Sequence, residues 1–87
     1  MTLASSPARA DVLATVVDAV VAILPAVPRH DVVGTRHLRH LGADSVDRVE
    51  IIALALDRLA IQETLASFSD LRDIDAMVDL LHARSRR

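Results

Sequence analysis

Residues 41–52 read "LGADSVDRVEII", from Leu41 to Ile52. A glycine closes one segment, and either Asp44 or Ser45 opens another in which apolar residues recur at helical spacing. Ser, Thr, Asp and Asn are favoured at a helix N-cap because their side-chain oxygens accept hydrogen bonds from N–H groups that the first turn leaves unpaired. Both residues suit that place: Ser45 as the cap, or Asp44 as the cap with Asp47 three residues later repeating part of a capping box. Either way a helix is expected from Ser45 to about Ala60. Counted at about 100° per residue from Ser45, the residues Val46, Val49, Ile52, Ala53, Leu56 and Leu59 share one stripe, the expected core face. Asp47, Ile51, Leu54 and Arg58 fall opposite. Two of these four are large and apolar, so the expected outer face is less polar than solvation alone requires.

Upstream, Pro7 suits the first turn of a helix, and Val12, Leu13, Val16, Val17, Val20, Ile23 and Leu24 repeat at three and four. Pro25 and Pro28 end that helix, since neither can continue the hydrogen-bond ladder. From Arg29 to Gly42 the periodicity lapses. A long connection is expected there, pinned to the core by Val33, Leu38 and Leu41, and long loops in small domains usually serve a function. Downstream, "IQETLASFSDL" (Ile61 to Leu71) has room for a short helical turn, with Phe68 packed beneath it and Ser69 or Asp70 as a cap for the final helix. That helix, about Asp73 to Ala83, turns Ile74, Met77, Val78 and Leu81 inward. Its cationic end, "HARSRR", complements the helix dipole.

The expected architecture is therefore all-α: a four-helix bundle with a short third helix and a long loop between the first two. The 87 residues allow one hydrophobic core, so residues 1–87 form a single domain with an ordered core over about 9–83. With 52% hydrophobic residues but one aromatic, that core is built from Leu, Ile, Val and Ala. No cysteine is present, which excludes disulfides, thiolate metal sites and a cysteine nucleophile. No apolar run reaches the roughly 18 uninterrupted residues that span a bilayer, and no basic-then-apolar leader opens the chain. A soluble, cytoplasmic monomer without a membrane partner is expected. The net charge of −2 gives no electrostatic case for nucleic acid, and stacking aromatics are missing from the basic loop between Arg29 and His40. That loop reads as solvated, with partner choice as its functional role. His30, His37 and His40 lack a completing cysteine or carboxylate, and no metal site is expected.

Ser45 has three readings. It is a cap; or it is a nucleophile, which the lack of a G-x-S-x-G elbow disfavours; or its hydroxyl is a point of attachment. A helix N-terminus offers partial positive charge and free N–H donors, so a phosphodiester on Ser45 is well accommodated.

"LGADSV", after Leu38 and before the apolar second helix, resembles the modification motif of acyl carrier proteins, whose usual form is L-G-x-D-S-L. The resemblance covers about Asp11 to Leu81. It implies a four-helix carrier domain, not itself an enzyme, in which Ser45 receives 4'-phosphopantetheine from coenzyme A through a separate Mg²⁺-dependent phosphopantetheinyl transferase, and Asp44 helps engage that transferase and its metal. The arm's thiol would carry acyl groups as thioesters between an acyltransferase and a ketosynthase-like or HMG-synthase-like condensing enzyme. Asp47, Arg48, Glu50, Ile51, Leu54 and Arg58 are the expected partner-recognition residues. Arg48 and Arg58, with Arg29, Arg36 and Arg39 in the loop, depart from housekeeping fatty-acid carriers, which have an acidic second helix. "DSVDRVEII" and "LRDIDAMVDLL" look more like stand-alone donor carriers of polyketide β-branching cassettes, which deliver an acetyl unit to an HMG-synthase-like enzyme in secondary-metabolite (antibiotic) biosynthesis. Glu63 and Thr64 stand where those proteins commonly have Ile-Pro. Other readings are a carrier for an unusual starter or extender unit, a fatty-acid carrier, or a small helical adaptor with no prosthetic group.

Overall fold

The computed structural model describes residues 8–32, 36–64 and 73–85. Every regular element among them is helical: α1 (Arg9–Ile23), α2 (Ser45–Arg58) and α3 (Ile74–Ser85), with two 3-10 turns, Arg29–Asp31 and Leu38–Leu41, in the connection between α1 and α2. The all-α class holds. The expected short helix within Ile61–Leu71 lies largely outside the described residues, as do Val33 and Phe68; Ile61 to Thr64 are not helical.

α1 begins on Ala8, whose carbonyl accepts the N–H groups of Asp11 (2.9 Å) and Val12 (3.1 Å). The Asp11 carboxylate reaches back to the Ala8 N–H at 3.3 Å, one half of a capping box. Pro25 lies just past the last hydrogen bond, from Leu24 N–H to the Val20 carbonyl, and the helix stops at Ile23 as its sequence dictates. Its buried face is Val12, Val16, Val17, Ala19 and Val20.

This face is the centre of the molecule, because α2 and α3 both pack against α1. α3 contributes Ile74, Met77, Val78 and Leu81, the four residues that spacing turns inward, all essentially inaccessible. Each such burial is worth about 1.5–3 kcal/mol relative to exposure. Its cap is Asp73, whose Oδ1 accepts the Ala76 N–H at 2.8 Å, so neither Ser69 nor Asp70 is needed for that role. Arg9 at the start of α1 reaches two carboxylates one turn apart on α3, Asp75 (3.0 Å) and Asp79 (2.8 Å). Hydrogen bonds from Arg9 to Asp79 and then to Asp75 raise its pKa further above the ordinary arginine value.

α2 is turned differently from the expectation. Its buried residues are Ile51, Ile52, Ala55 and Leu56, while Val46 is 63% and Val49 47% exposed and Ala53 is also open. Taking about 100° per residue, the buried arc is centred roughly a quarter-turn away from the predicted one. Apolar residues cover most of this helix's circumference, so two overlapping arcs can each serve as a core stripe. The one used buries Ile51 in the middle of the helix rather than Val46 in its first turn.

Candidate functional site

The lead-in to Ser45 is a short, ordered turn. Leu38 and Ala43 are buried and bracket the 3-10 turn Leu38–Leu41, with the Ala43 N–H bonded to the Leu38 carbonyl at 3.1 Å. Gly42 lies between them with φ +94°, the left-handed region where L residues are strained. A Cβ there would meet nothing within 4 Å, so conformation rather than space calls for glycine.

Asp44 is the N-cap of α2. Its Oδ1 accepts the Asp47 N–H at 2.8 Å, and Asp47 Oδ2 accepts the Asp44 N–H at 3.2 Å, a complete reciprocal box. The Asp44 carbonyl accepts the Arg48 N–H at 3.0 Å. Of the two capping schemes open in the sequence, this is the aspartate one. Ser45 is consequently the first residue inside the helix, exposed, with no hydrogen bond to its hydroxyl among the described residues. The first-turn N–H groups of Ser45 and Val46 have no intrahelical acceptor, and the second carboxylate oxygen of Asp44 is not engaged by the cap. A group bearing a phosphodiester fits here: an unburdened hydroxyl to carry it, two free N–H donors and the positive end of the helix dipole to face it.

The residues expected to surround Ser45 divide. Glu50 and Arg58 are exposed, Arg48 and Leu54 half-buried, and Asp47 is half-buried and occupied in the capping box. Ile51 is fully buried and is removed from the recognition surface: it belongs to the core, for the reason of helical phase given above. In its place the apolar groups open beside Ser45 are Val46 and Val49. Their exposure follows from the phase that packing gives α2, which counting outward from Ser45 does not reveal.

His37, expected as a solvated loop residue, is instead half-buried, and its Nδ1 accepts the Arg39 N–H at 3.0 Å. Burial first, then the charges of Arg39, His40 and Arg48, hold its pKa below the ordinary histidine value, against a smaller opposing effect of Asp73. The His37 and His40 rings lie 5.8 Å apart and are tilted to each other. Among the described residues no three histidine or acidic side chains gather as a metal site would require. An open cleft of about 260 Å³ lies at the other end of α2, lined by Leu59, Ala60, Ile61, Gln62, Arg84 and Ser85. A helix of this length puts it about 20 Å from Ser45, out of reach of chemistry at that hydroxyl. Among the described residues, no helix is long and apolar enough to cross a membrane. Comparison with protein-family models, with curated proteins and with solved structures gave no match to this chain.

Proposed function

We propose that this chain is an acyl carrier of the phosphopantetheine-bearing type, a covalent shuttle rather than a catalyst, with Ser45 as its attachment residue. The observation that supports this most is the division of labour at the start of α2: Asp44 and Asp47 cap the helix, which leaves the Ser45 hydroxyl exposed and without structural duty. A serine whose role is capping makes the capping bond, and here Asp44 makes it instead.

When bound, 4'-phosphopantetheine supplies a thiol on a long arm, on which acyl groups ride as thioesters. The chain's own residues do the rest. Ser45 Oγ would carry the phosphodiester, and the Ser45 and Val46 N–H groups would be available to it at the helix end. Asp44 holds the first turn through Oδ1 and presents its other oxygen, with its charge, to an incoming transferase and that enzyme's Mg²⁺. Val46 and Val49, apolar and flanked by Glu50 and Arg48, give a partner enzyme a small patch for contact beside the arm. Within this reading the chain belongs to a four-helix carrier bundle acting in the cytoplasm, and the "DSVDRVEII" stretch favours the acetyl-donor type that serves HMG-synthase-like β-branching enzymes.

The test is the mass of the intact protein after incubation with coenzyme A, Mg²⁺ and a broad-specificity phosphopantetheinyl transferase. Addition of one phosphopantetheine group is the expected result. Persistent absence of any addition with several transferases favours the helical adaptor.

A further inference from the structure

His37 stands where three parts of the chain meet ahead of Ser45. Its Nδ1 accepts the Arg39 N–H at 3.0 Å and its carbonyl accepts the His40 N–H at 2.9 Å, which together close the turn Leu38–Leu41. The turn passes the order on: Gly42 N–H bonds to the Arg39 carbonyl at 3.1 Å, Ala43 N–H to the Leu38 carbonyl at 3.1 Å, and Asp44 then caps α2. On the other side, the Arg36 carbonyl accepts the Ile74 N–H at 3.0 Å and ties the same segment to the start of α3.

We propose that His37, in its unprotonated form, is the positioning residue of the segment leading to Ser45: its Nδ1 lone pair holds the Leu38–Leu41 turn closed, and protonation of that nitrogen releases it. A neutral imidazole has one acceptor nitrogen, and an imidazolium has none. The hydrogen bond to the Arg39 N–H therefore fixes the tautomer, with the ring proton on Nε2, and cannot survive protonation at Nδ1. The charged groups around the ring come from every element that meets it: Arg39 and His40 from the turn, Arg48 from α2 and Asp73 from the start of α3. Three cationic or cation-forming groups face one carboxylate, and that carboxylate is engaged in capping α3. Among the described residues Arg39 and Arg48 have no carboxylate partner, whereas Arg9 has two and Arg29 and Arg84 have one each, so no ion pair offsets the charge of Arg39 and Arg48 near the ring.

The sign is set by linkage. The closed turn prefers the neutral ring, so its stability is fully present above the free histidine value of about 6.5, declines as the pH falls from there to the depressed folded value, and is level below it. The consequence for Ser45 rests on the carrier reading; the behaviour of the turn does not.

The experiment is amide hydrogen exchange by NMR between pH 5 and 8, with protection measured relative to the intrinsic rate at each pH, on wild type, His37→Asn and His40→Gln. Protection of the Arg39 amide in wild type should fall on the order of tenfold per pH unit between the two pKa values. His37→Asn supplies a non-titrating carbonyl that can accept the N–H two residues on. It should keep the protection and lose the slope, while His40→Gln keeps the protection and a slope confined to a narrower pH range, since one of the charges lowering the His37 pKa is gone. A flat profile in wild type, or a slope that survives in His37→Asn, overturns the proposal. The ratio of wild-type to His37→Asn loading rates with phosphopantetheinyl transferase should fall over the same pH range. If wild type is never loaded at any pH, the carrier reading fails, and the exchange profiles still decide the role of His37.

Discussion

Asp44 and Ser45 are neighbours of similar capping aptitude, and the structure gives them different tasks. Because Asp44 Oδ1 makes the capping bond, Ser45→Ala should shift stability by no more than about 0.5 kcal/mol, as expected of a surface position. Asp44→Ala should cost about 0.5–2 kcal/mol, the usual effect of a lost cap. Asp44→Asn separates structure from charge: asparagine caps nearly as well, so the variant should denature like wild type while being loaded more slowly by the transferase. Urea titration paired with loading kinetics checks both halves, and an Asn variant as unstable as the Ala variant would contradict the capping assignment. The sequence leaves the choice open at this scale, since two good caps stand side by side and only the hydrogen-bond geometry distinguishes them. His37 is less legible still, because a side chain that caps a 3-10 turn leaves no periodic trace.

At the scale of elements, α1 and α3 can be read directly from their spacing. Val12, Val16, Val17 and Val20 on one, and Ile74, Met77, Val78 and Leu81 on the other, recur at three and four, and all are buried. In α2 the same spacing admits two overlapping arcs. With Val46, Val49, Ile51, Ile52, Ala53, Leu54, Ala55, Leu56 and Leu59 distributed around it, its phase is set by packing against α1, which the local pattern does not encode. The corrected phase carries a direct prediction. Ile51→Ala should destabilise by about 2–5 kcal/mol, whereas Val49→Ala should stay within about 0.5 kcal/mol. Chemical denaturation giving the reverse order would restore the stripe through Val46 and Val49 as the core face. The end of α2 offers a second. Ile61 N–H bonds to the Leu56 carbonyl (2.9 Å) and Ala60 N–H to the Asp57 carbonyl (3.1 Å), a Schellman closure that places Ala60 at φ 54°. An L residue in the left-handed region is strained by about 1–2 kcal/mol, and glycine's greater freedom when unfolded returns part of that. Ala60→Gly should therefore stabilise the protein by up to about 1 kcal/mol, seen as a higher denaturation midpoint at unchanged slope.

Across the whole molecule, α1 is the shared partner of α2 and α3, and the segment from Arg36 to Asp44 links the N-terminal ends of the two outer helices through the Arg36–Ile74 bond. Ser45 thus sits at one end of the bundle on the capped start of α2, next to exposed Val46 and Val49 and to Arg48, which has no carboxylate partner among the described residues. The exposed ion pairs of Arg9 and Arg29 add little to stability, whereas Arg84 pairs with Glu63, whose side chain is largely covered. At the start of α2 the hydroxyl presented is that of Ser45. The most direct measurement uses the arginines that flank it: trypsin releases His40 to Arg48, "HLGADSVDR", a fragment with Ser45 as its single serine. After incubation with coenzyme A, Mg²⁺ and a broad-specificity transferase, wild type should carry one phosphopantetheine group on this fragment, and Ser45→Ala none, with the two proteins denaturing alike. An unmodified fragment from wild type after treatment with several transferases, or a group attached elsewhere in Ser45→Ala, would contradict the account.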